Sequence, residues 1–348
     1  MQNNWKTADA AVGAVRSGRR IAMYWNKIVF LSLSVFALLL VHAHAQDYPN
    51  RRITLVAPYA AGGGFDGVAR LLAEALGRSL GQTVIVENIE GAGGVIGTRQ
   101  VARAAPDGYT LLLNHMGMAT APLMVKNLEF DPLTSFSFVG LFVESPALII
   151  GRRDLAANTV AELTQYIKAN PDGVTIASSG VGSGTDLCAT LFEQAIGAKI
   201  PHIQYRGAGP AMIDVEASRV DLLCETPFGL IPHVRSGAAK PFLVSGDHRI
   251  ASMPEVPTAT ELGLEKFNLA TTWYGLYAPA NTPKSIIDRL TLALQTAVND
   301  PVVVERTKQL NMSPFAESQA TPDGLQKYLS SQMSLLSGVF HEAGIVPR

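Results

Sequence analysis

The sequence has no cluster of basic residues. Of its 348 residues, 28 are Lys or Arg and 29 are Asp or Glu. From residue 46 onwards the counts are 23 basic and 28 acidic, a net charge of −5. Binding to nucleic acid needs concentrated Lys and Arg to neutralise phosphates. We therefore expect no nucleic-acid partner.

Cysteine is nearly absent, and only Cys188 and Cys224 are present. They could form one disulfide or remain two buried thiols, and their spacing does not decide between these alternatives. No Cys/His group has the spacing of metal ligands. We expect neither a metal site nor a cofactor.

The sequence also lacks the motifs of an exported enzyme. The G-x-S-x-G pattern of hydrolases is missing, because Gly180-Val-Gly-Ser183-Gly places glycine where that pattern needs serine. No histidine pairs with an acid and a nucleophile in a recognisable motif. Gly91-Ala-Gly93-Gly-Val-Ile-Gly97 has the wrong glycine spacing for a dinucleotide fingerprint and reads better as structural glycines at a helix start. We predict that the chain is not an enzyme.

Only one apolar run, Ile28 to Val41, approaches the length of a membrane span. It follows Lys27 and precedes Ala43-His-Ala45, the order of a secretory signal, and it is shorter than the roughly 20 residues that span a bilayer. We predict that residues 1–45 are an upstream extension plus a signal peptide, with translation starting at Met23 and cleavage after Ala45. The remainder is then exported to the periplasm.

A glycine-rich segment carries the first functional signal. Ile53 to Ala57 reads as a strand, Tyr59 to Phe65 as a turn, and a helix is predicted from about Asp66. Glycine N–H groups and the positive end of a helix can hold a carboxylate or phosphate without a basic side chain. The alternative is that the glycines only form a tight turn.

The strands and helices that follow predict an α/β protein with two modules. Residues 53–113 read as βαβαβ, which implies a parallel sheet with ligands beyond the carboxyl ends of its strands. In the second module, the strand Val174–Ala177 leads into Ser178–Thr185, which is rich in glycine and hydroxyls and precedes another helix. Two such loops predict a cleft between two lobes that closes on its ligand.

Several motifs in collinear order resemble the tripartite tricarboxylate transporter substrate-binding proteins, also called Bug receptors. The matching segments are Pro58–Arg70, Val86–Asn88 with Gly91–Gly94, Ala105–Thr110, Tyr205–Gly207 with Gly209–Ala211, Val220–Leu222, Pro232–His233, Pro254–Thr258 and Trp273–Pro279.

This resemblance implies a periplasmic receptor with the two-domain, type II-like Venus-flytrap fold, in which each lobe is a mixed, mostly parallel sheet flanked by helices. Lobe one would comprise residues 46–146 and 269–348, and lobe two residues 147–268. The receptor would deliver a small carboxylate to membrane permease subunits, and we expect a monomer. A receptor that passes its liganded form to a membrane signalling protein has the same fold and stays an alternative.

The resemblance places the ligand at the loops that face the cleft. The expected ligand-binding residues are Tyr59, Gly63, Gly64, Phe65, Asp66, His115, Met116, Ser178, Ser179, Ser183, Thr185, Asp186, Tyr205, Gly207, Thr226 and Phe228.

Two departures from the family pattern bear on the ligand. His115-Met-Gly-Met-Ala119 has thioethers where relatives commonly carry threonines, and Asp186 stands where many have histidine. With Phe65 and Phe228, these changes favour a partly apolar or aromatic carboxylate, although such side chains more often serve packing. Asp186 would repel a bound carboxylate unless it is turned away or paired with a cation, and it could simply accept N–H bonds at its helix start.

Overall fold

The computed structural model describes residues 48–342, of which residues 49–342 belong to one compact unit. The predicted start at Met23 and the predicted cleavage after Ala45 lie outside these residues. Within residues 48–342, no helix combines the length and the apolar character that crossing a membrane requires.

Two β-sheets organise the chain. The first sheet has the strand order β11-β4-β10-β3-β1-β2. Its strands are β1 (Ile53–Ala57), β2 (Val84–Asn88), β3 (Thr110–His115), β4 (Phe136–Ser145), β10 (Thr272–Pro279) and β11 (Ser313–Pro314). The second sheet has the order β7-β6-β8-β5-β9. Its strands are β5 (Leu148–Arg152), β6 (Ile176–Ser178), β7 (His202–Gln204), β8 (Leu222–Glu225) and β9 (Ala239–Val244).

Both sheets are mixed. β1 pairs in parallel with β2 and β3, which confirms the predicted βαβαβ unit. β6 pairs in parallel with β7 and β8 in the same way. The remaining five strand pairs among the described residues are antiparallel, because β10 returns beside β3 and β4, and β5 lies between β8 and β9. Antiparallel pairs thus slightly outnumber the four parallel ones, so the sheets are mixed as expected but not mostly parallel.

Helices cover the sheets. They are α1 (Gly64–Leu80), α2 (Val95–Ala102), α3 (Gly117–Met124), α4 (Val160–Ala169), α5 (Gly184–Ile196), α6 (Ala208–Glu216), α7 (Pro227–Arg235), α8 (Lys284–Val298), α9 (Pro301–Gln309) and α10 (Pro322–Glu342). Short 3-10 turns form at Ala92–Gly94 and Glu265–Ala270. The apolar stripe of α1 is buried along its whole length, at Val68, Leu71, Leu72, Ala75 and Leu76.

Two local features differ from what the sequence indicates. The resemblance places His115 and Met116 in a loop, whereas His115 ends β3 and α3 begins at Gly117. Strand β4 was not predicted, although ten residues form it and it pairs with β10 and β11. Residues 53–145 and 272–314 supply the first sheet, and residues 148–244 supply the second. The assignment of chain segments to two lobes stays a prediction.

Candidate functional site

The glycine loop after β1, which we call the first cradle (residues 59–66), is fixed from within by Asp66. Gly62 has φ +86°, and its N–H donates to Asp66 Oδ2 at 3.1 Å. Arg70 donates from Nε and Nη2 to the same carboxylate at 3.0 and 2.9 Å, and Asn88 Nδ2 donates at 3.1 Å. Burial alone would raise the pKa of Asp66, but these hydrogen bonds and Arg70 hold it below the ordinary value. The carboxylate of Asp66 therefore binds groups of the protein itself, namely the Gly62 N–H, Arg70 and Asn88.

The loop after β6, which we call the second cradle (residues 178–186), repeats this construction. Gly182 has φ +78°, and its N–H donates to Asp186 Oδ2 at 3.2 Å. The Ser183 hydroxyl caps α5 by accepting the N–H of Asp186 at 3.2 Å. The spacing Gly-x-Gly-x-Asp is the same in both cradles, at residues 62–66 and 182–186.

Asp186 is completely buried and has a cationic partner. Its Oδ1 lies 2.8 Å from His202 Nδ1, and His202 Nε2 lies 3.7 Å from Glu193. Burial alone would lower the pKa of His202, but these two acids raise it to about 9. Both of the sequence alternatives for Asp186 hold in part, because it accepts an N–H at its helix start and it pairs with a cation.

We expect the stability of the protein to fall as pH rises from about 6.5 to 9. A histidine with a raised folded-state pKa contributes its full stabilisation below the unfolded value of about 6.5 and loses it as pH passes the folded value. The contribution is at most about 3 kcal/mol. His202→Asn should flatten this part of the curve, which urea denaturation at about pH 6 and pH 9.5 would measure.

The control is His248→Asn, because His248 is exposed and lies 3.6 Å from Asp247, which is also exposed. That variant should retain the wild-type pH dependence. A pH dependence that survives in His202→Asn would show that the buried pair does not titrate in this range.

Residues of both cradles line one cavity, and the loops beside them meet at a tight interface. The backbone N–H of Ala60 donates to the carbonyl of Arg206 at 3.2 Å, and Arg206 Nη1 pairs with Glu90 at 3.1 Å. A Cβ atom on Gly93 would lie 2.2 Å from the carbonyl oxygen of Val181. The loops of the first and second sheets therefore touch by backbone, which only glycine permits here.

Two small cavities lie at the centre of this interface. Each has a volume of about 10 Å³, which is about enough to hold one water molecule. One is lined by Tyr59, Ala60, Gly63, Phe65, His115, Ser179, Thr185, Ala208 and Glu225. The other is lined by His115, Ala147, Gly184, Thr185, Cys188, Cys224, Glu225 and Thr272. An adjoining pocket of about 320 Å³ shares Gly63, Ala208 and Glu225 with the first. We call the first two the central cavities.

Three helices begin at the central cavities. Gly63 and Phe65 lie at the start of α1, Thr185 at the start of α5, and Ala208 at the start of α6. Helix N-termini carry unpaired N–H groups and partial positive charge. Among residues 48–342, no Lys or Arg lines either central cavity. The geometry can hold an anion without a basic side chain.

An aromatic group encloses one side of the cavities. The ring centroid of Phe65 lies 4.9 Å from that of Tyr59, 5.2 Å from that of His115 and 5.5 Å from that of Tyr274. His115 Nδ1 accepts the N–H of Gly117 at 2.9 Å, and burial lowers the pKa of His115 to about 3. The imidazole is therefore neutral near pH 7 and presents no cation to a ligand.

Glu225 is the functional candidate that the sequence did not single out. It ends β8, is 9% exposed and lines both central cavities and the adjoining pocket. The N–H of Thr226 donates to Glu225 Oε1 at 2.7 Å, but burial outweighs this bond and raises the pKa of Glu225. Thr272, at the start of β10, was likewise missed. A strand-end acid after an apolar run, as in Leu222-Leu-Cys-Glu225, was the available signal.

The structure brings together only some of the predicted ligand-binding residues. Those lining the central cavities or the adjoining pocket are Tyr59, Gly63, Gly64, Phe65, His115, Ser179 and Thr185. The other predicted residues line none of the three. These are Asp66, Met116, Ser178, Ser183, Asp186, Tyr205, Gly207, Thr226 and Phe228.

Several residues of that second group have structural partners instead. Met116 Sδ lies 3.6 Å from the Thr272 hydroxyl, and the Tyr205 hydroxyl donates to Asp214 at 2.6 Å. Arg306 lies over the Phe228 ring at 5.6 Å. These side chains support the loops around the cavities, and their roles in ligand binding stay predictions.

The two cysteines form a disulfide. Their Cα atoms are 6.1 Å apart, within the range that a bridge requires. Cys188 lies in α5 and Cys224 in β8, and both line a central cavity. The bridge therefore connects the helix that begins with the second cradle to the strand that ends at Glu225.

A larger groove of about 980 Å³ lies beside α4 and residues 255–264. It contains none of the predicted ligand-binding residues. Its lysine, Lys240, is already engaged by the carbonyl of Leu155 at 2.6 Å and by Asn158 at 3.0 Å. Across residues 48–342, no group of three or more His, Cys, Asp or Glu residues could hold a metal ion. The interface between the cradles is therefore the better candidate site.

Known proteins share this architecture. The family model of the tripartite tricarboxylate transporter family receptor, TctC, matches residues 68–336. A UPF0065 protein from the TAR-I ttuE-ttuC' intergenic region of Agrobacterium vitis is 42% identical over 303 residues, 87% of each chain.

Two solved structures of periplasmic receptors are similar to this chain in sequence and in fold. The periplasmic binding protein BugD is 41% identical, with a TM-score of 0.83 over 86% of this chain and 100% of that one. MatC from Rhodopseudomonas palustris, solved with bound malate, is 31% identical, with a TM-score of 0.80 over 84% and 99%. These solute receptors confirm the predicted fold class and the prediction that the chain is not an enzyme. The chain belongs to the tripartite tricarboxylate transporter receptor family.

Proposed function

We propose that this protein is a periplasmic solute receptor that captures a small carboxylate between two lobes. The observation that carries the proposal is the convergence of three helix starts, those of α1, α5 and α6, on cavities that no Lys or Arg of the described part of the chain lines. A carboxylate held there receives backbone N–H groups and the positive ends of three helices. The malate bound to the similar MatC supports this ligand class.

In this proposal, residues 46–146 and 269–348 form one lobe and residues 147–268 the other. The central cavities are too small for a carboxylate of four or more carbons, so the cradles must separate to admit the ligand. The ligand then stabilises the closed form through contacts that exist only when the cradles meet. The closed receptor docks as a monomer on the permease subunits of a tripartite tricarboxylate-type transporter.

Thermal-shift screening of the purified protein tests the proposal. The panel contains aliphatic dicarboxylates, tricarboxylates, aromatic carboxylates and amino acids, with neutral sugars as the matched control. A ligand at 100 times its dissociation constant should add about 2.7 kcal/mol to the free energy of unfolding and raise the melting temperature.

We expect at least one carboxylate class to raise the melting temperature and the sugars to leave it unchanged. Mass spectrometry of the denatured protein identifies any carboxylate that is already bound. A protein that carries no carboxylate and responds to none of them would contradict the proposal.

A further inference from the structure

Phe228 is a half-buried aromatic side chain at the start of α7, and it lines neither the central cavities nor the adjoining pocket. Its ring lies against α1 instead. A Cβ atom on Gly67 would lie within 2.6 Å of three carbon atoms of that ring, Cδ1, Cε1 and Cζ. Non-bonded carbon atoms pack best at about 3.5 to 4.0 Å. The Phe228 ring therefore occupies the space that any other side chain at position 67 would need.

A second helix contacts the same ring. Arg306 in α9 lies over the ring of Phe228, with its guanidinium carbon 5.6 Å from the ring centre. A guanidinium group in that position is attracted to the face of the ring. Helix α9 is fixed to α1, because Arg78 in the last turn of α1 donates to Asp300, the N-cap of α9, at 3.0 and 2.6 Å. Gly67 and Arg306 thus belong to one packed pair of helices that holds the Phe228 ring.

This contact joins the two sheets at a distance from the segments that connect them. Within residues 48–342, the chain passes between the sheets twice, from β4 to β5 and from β9 to β10. Helix α1 follows β1, which β3 separates from β10, and α7 follows β8. When two halves of a protein rotate about their connecting segments, contacts away from those segments separate. The Phe228 ring can therefore leave α1 when the cradles move apart.

We propose that Phe228, Gly67 and Arg306 form a latch that holds the receptor closed and raises its affinity without touching the bound molecule. This inference rests on the receptor function proposed above, in which two lobes separate and close. A contact present only in the closed form adds its free energy to closure, and affinity rises by the same factor for every molecule that the closed form holds. The sequence analysis placed Phe228 among the ligand-binding residues, whereas the latch assigns it to closure.

The variant Phe228→Ala tests the latch by isothermal titration with malate, succinate, adipate and benzoate. Loss of the buried ring surface and of the cation–π contact should weaken each probe that binds the wild type by about 30-fold, equivalent to about 2 kcal/mol. The factor should be the same for each of these probes, whereas a residue in contact with the bound molecule would change them unequally. Phe228→Leu, which keeps part of the apolar surface, should retain part of the affinity. Arg306→Gln should weaken each probe about threefold.

The variant Gly67→Ala tests the same contact from the other helix. Alanine suits α1 itself better than glycine does, but its Cβ would displace the Phe228 ring. Affinity should therefore fall about as far as in Phe228→Ala. The double variant should bind no more weakly than either single variant, because each change alone already removes the contact. Leu292→Ala is the control: this apolar side chain in α8 is 55% exposed, and its loss should leave the affinities unchanged.

Spin labels at Glu74→Cys and Arg235→Cys measure closure without any added molecule. Both positions are exposed, one lies in α1 and the other in α7, and the two native cysteines are bridged and take no label. Double electron–electron resonance of the ligand-free protein gives the ratio of the shorter to the longer label separation. Phe228→Ala should lower this ratio about 30-fold.

The outcomes separate the latch from the receptor function. Equal probe affinities in wild type and Phe228→Ala, or losses that add in the double variant, overturn the latch and leave the receptor function standing. Equal label-separation ratios in ligand-free wild type and Phe228→Ala also overturn the latch, whichever molecule the receptor binds. If no carboxylate binds and none copurifies, the receptor function itself fails.

Discussion

An alanine at position 64 is expected to weaken ligand binding at least 100-fold without lowering the free energy of unfolding. Gly64 is the first residue of α1, and its φ angle is not in the left-handed region. Alanine is favoured over glycine inside helices by about 1 kcal/mol, and part of that gain applies in the first turn. The substitution therefore suits the helix itself.

The alanine side chain would overlap sterically with residues on the other side of the interface between the two sheets. A Cβ atom on Gly64 would lie 2.3 Å from Thr226 Oγ1, 3.2 Å from Glu225 Oε1 and 3.2 Å from the backbone nitrogen of Gly229. These partners lie at the end of β8 in the second sheet or just after it, whereas Gly64 follows β1 in the first. If the lobes separate without ligand, only the closed form suffers this overlap. A penalty of about 2.7 kcal/mol on the closed form lowers affinity 100-fold.

Calorimetric titration with the best carboxylate of the screen, together with urea denaturation, measures both quantities. Small-angle X-ray scattering should show that the variant stays extended at ligand concentrations that compact the wild type. Gly338→Ala is the matched control, because this helical glycine in α10 has open space where its Cβ would be. It should leave affinity unchanged. Wild-type affinity in Gly64→Ala would contradict closure at this contact, and a loss of stability above about 2 kcal/mol would show that the lobes do not separate.

The cradles were predictable because their signals are local. Gly62 and Gly182 need positive φ angles, and an acid four residues later sits at a helix start, so short stretches of sequence specify both loops. The capping pair at α4 was equally readable, since the Thr159 hydroxyl accepts the N–H of Glu162 at 3.1 Å. Local geometry of this kind needs no knowledge of the rest of the fold.

Features that depend on distant partners were not predictable in the same way. Strand β4 forms because β10, more than 120 residues later, pairs along its length. Glu225 and Thr272 come from different sheets and meet only at the interface. Asp186 was ambiguous because its partner, His202, lies in a different secondary-structure element, β7. In each case the deciding contact joins segments that the sequence does not place together.

The disulfide is the second feature for which we expect a large effect. Loss of the bridge should lower the free energy of unfolding by about 4 kcal/mol, since the cross-link closes a loop across 36 positions of sequence and so restricts the unfolded chain. Cys188 and Cys224 are 3% and 0% exposed, so the bridge is protected from reductants in the folded protein. An oxidising compartment such as the periplasm allows such a bridge to persist.

Urea denaturation with and without dithiothreitol measures the effect on the wild-type sequence, after the reductant has equilibrated with the unfolded chain. The double variant Cys188→Ala with Cys224→Ala is the control: it should be destabilised like the reduced protein and should not respond to dithiothreitol. A difference below about 1 kcal/mol between oxidised and reduced wild type would contradict the prediction.

The bridge should also affect ligand binding, because of where it lies. It joins α5, whose first turn contains Thr185, to β8, which ends at Glu225, and both of these residues line the central cavities. Without the bridge, no covalent link limits the separation between the start of α5 and Glu225. Part of the binding free energy must then be used to order these two groups. Without urea, and at a temperature where it stays folded, the reduced protein should bind the ligand about tenfold more weakly. Equal affinity in both redox states would restrict the bridge to a role in stability.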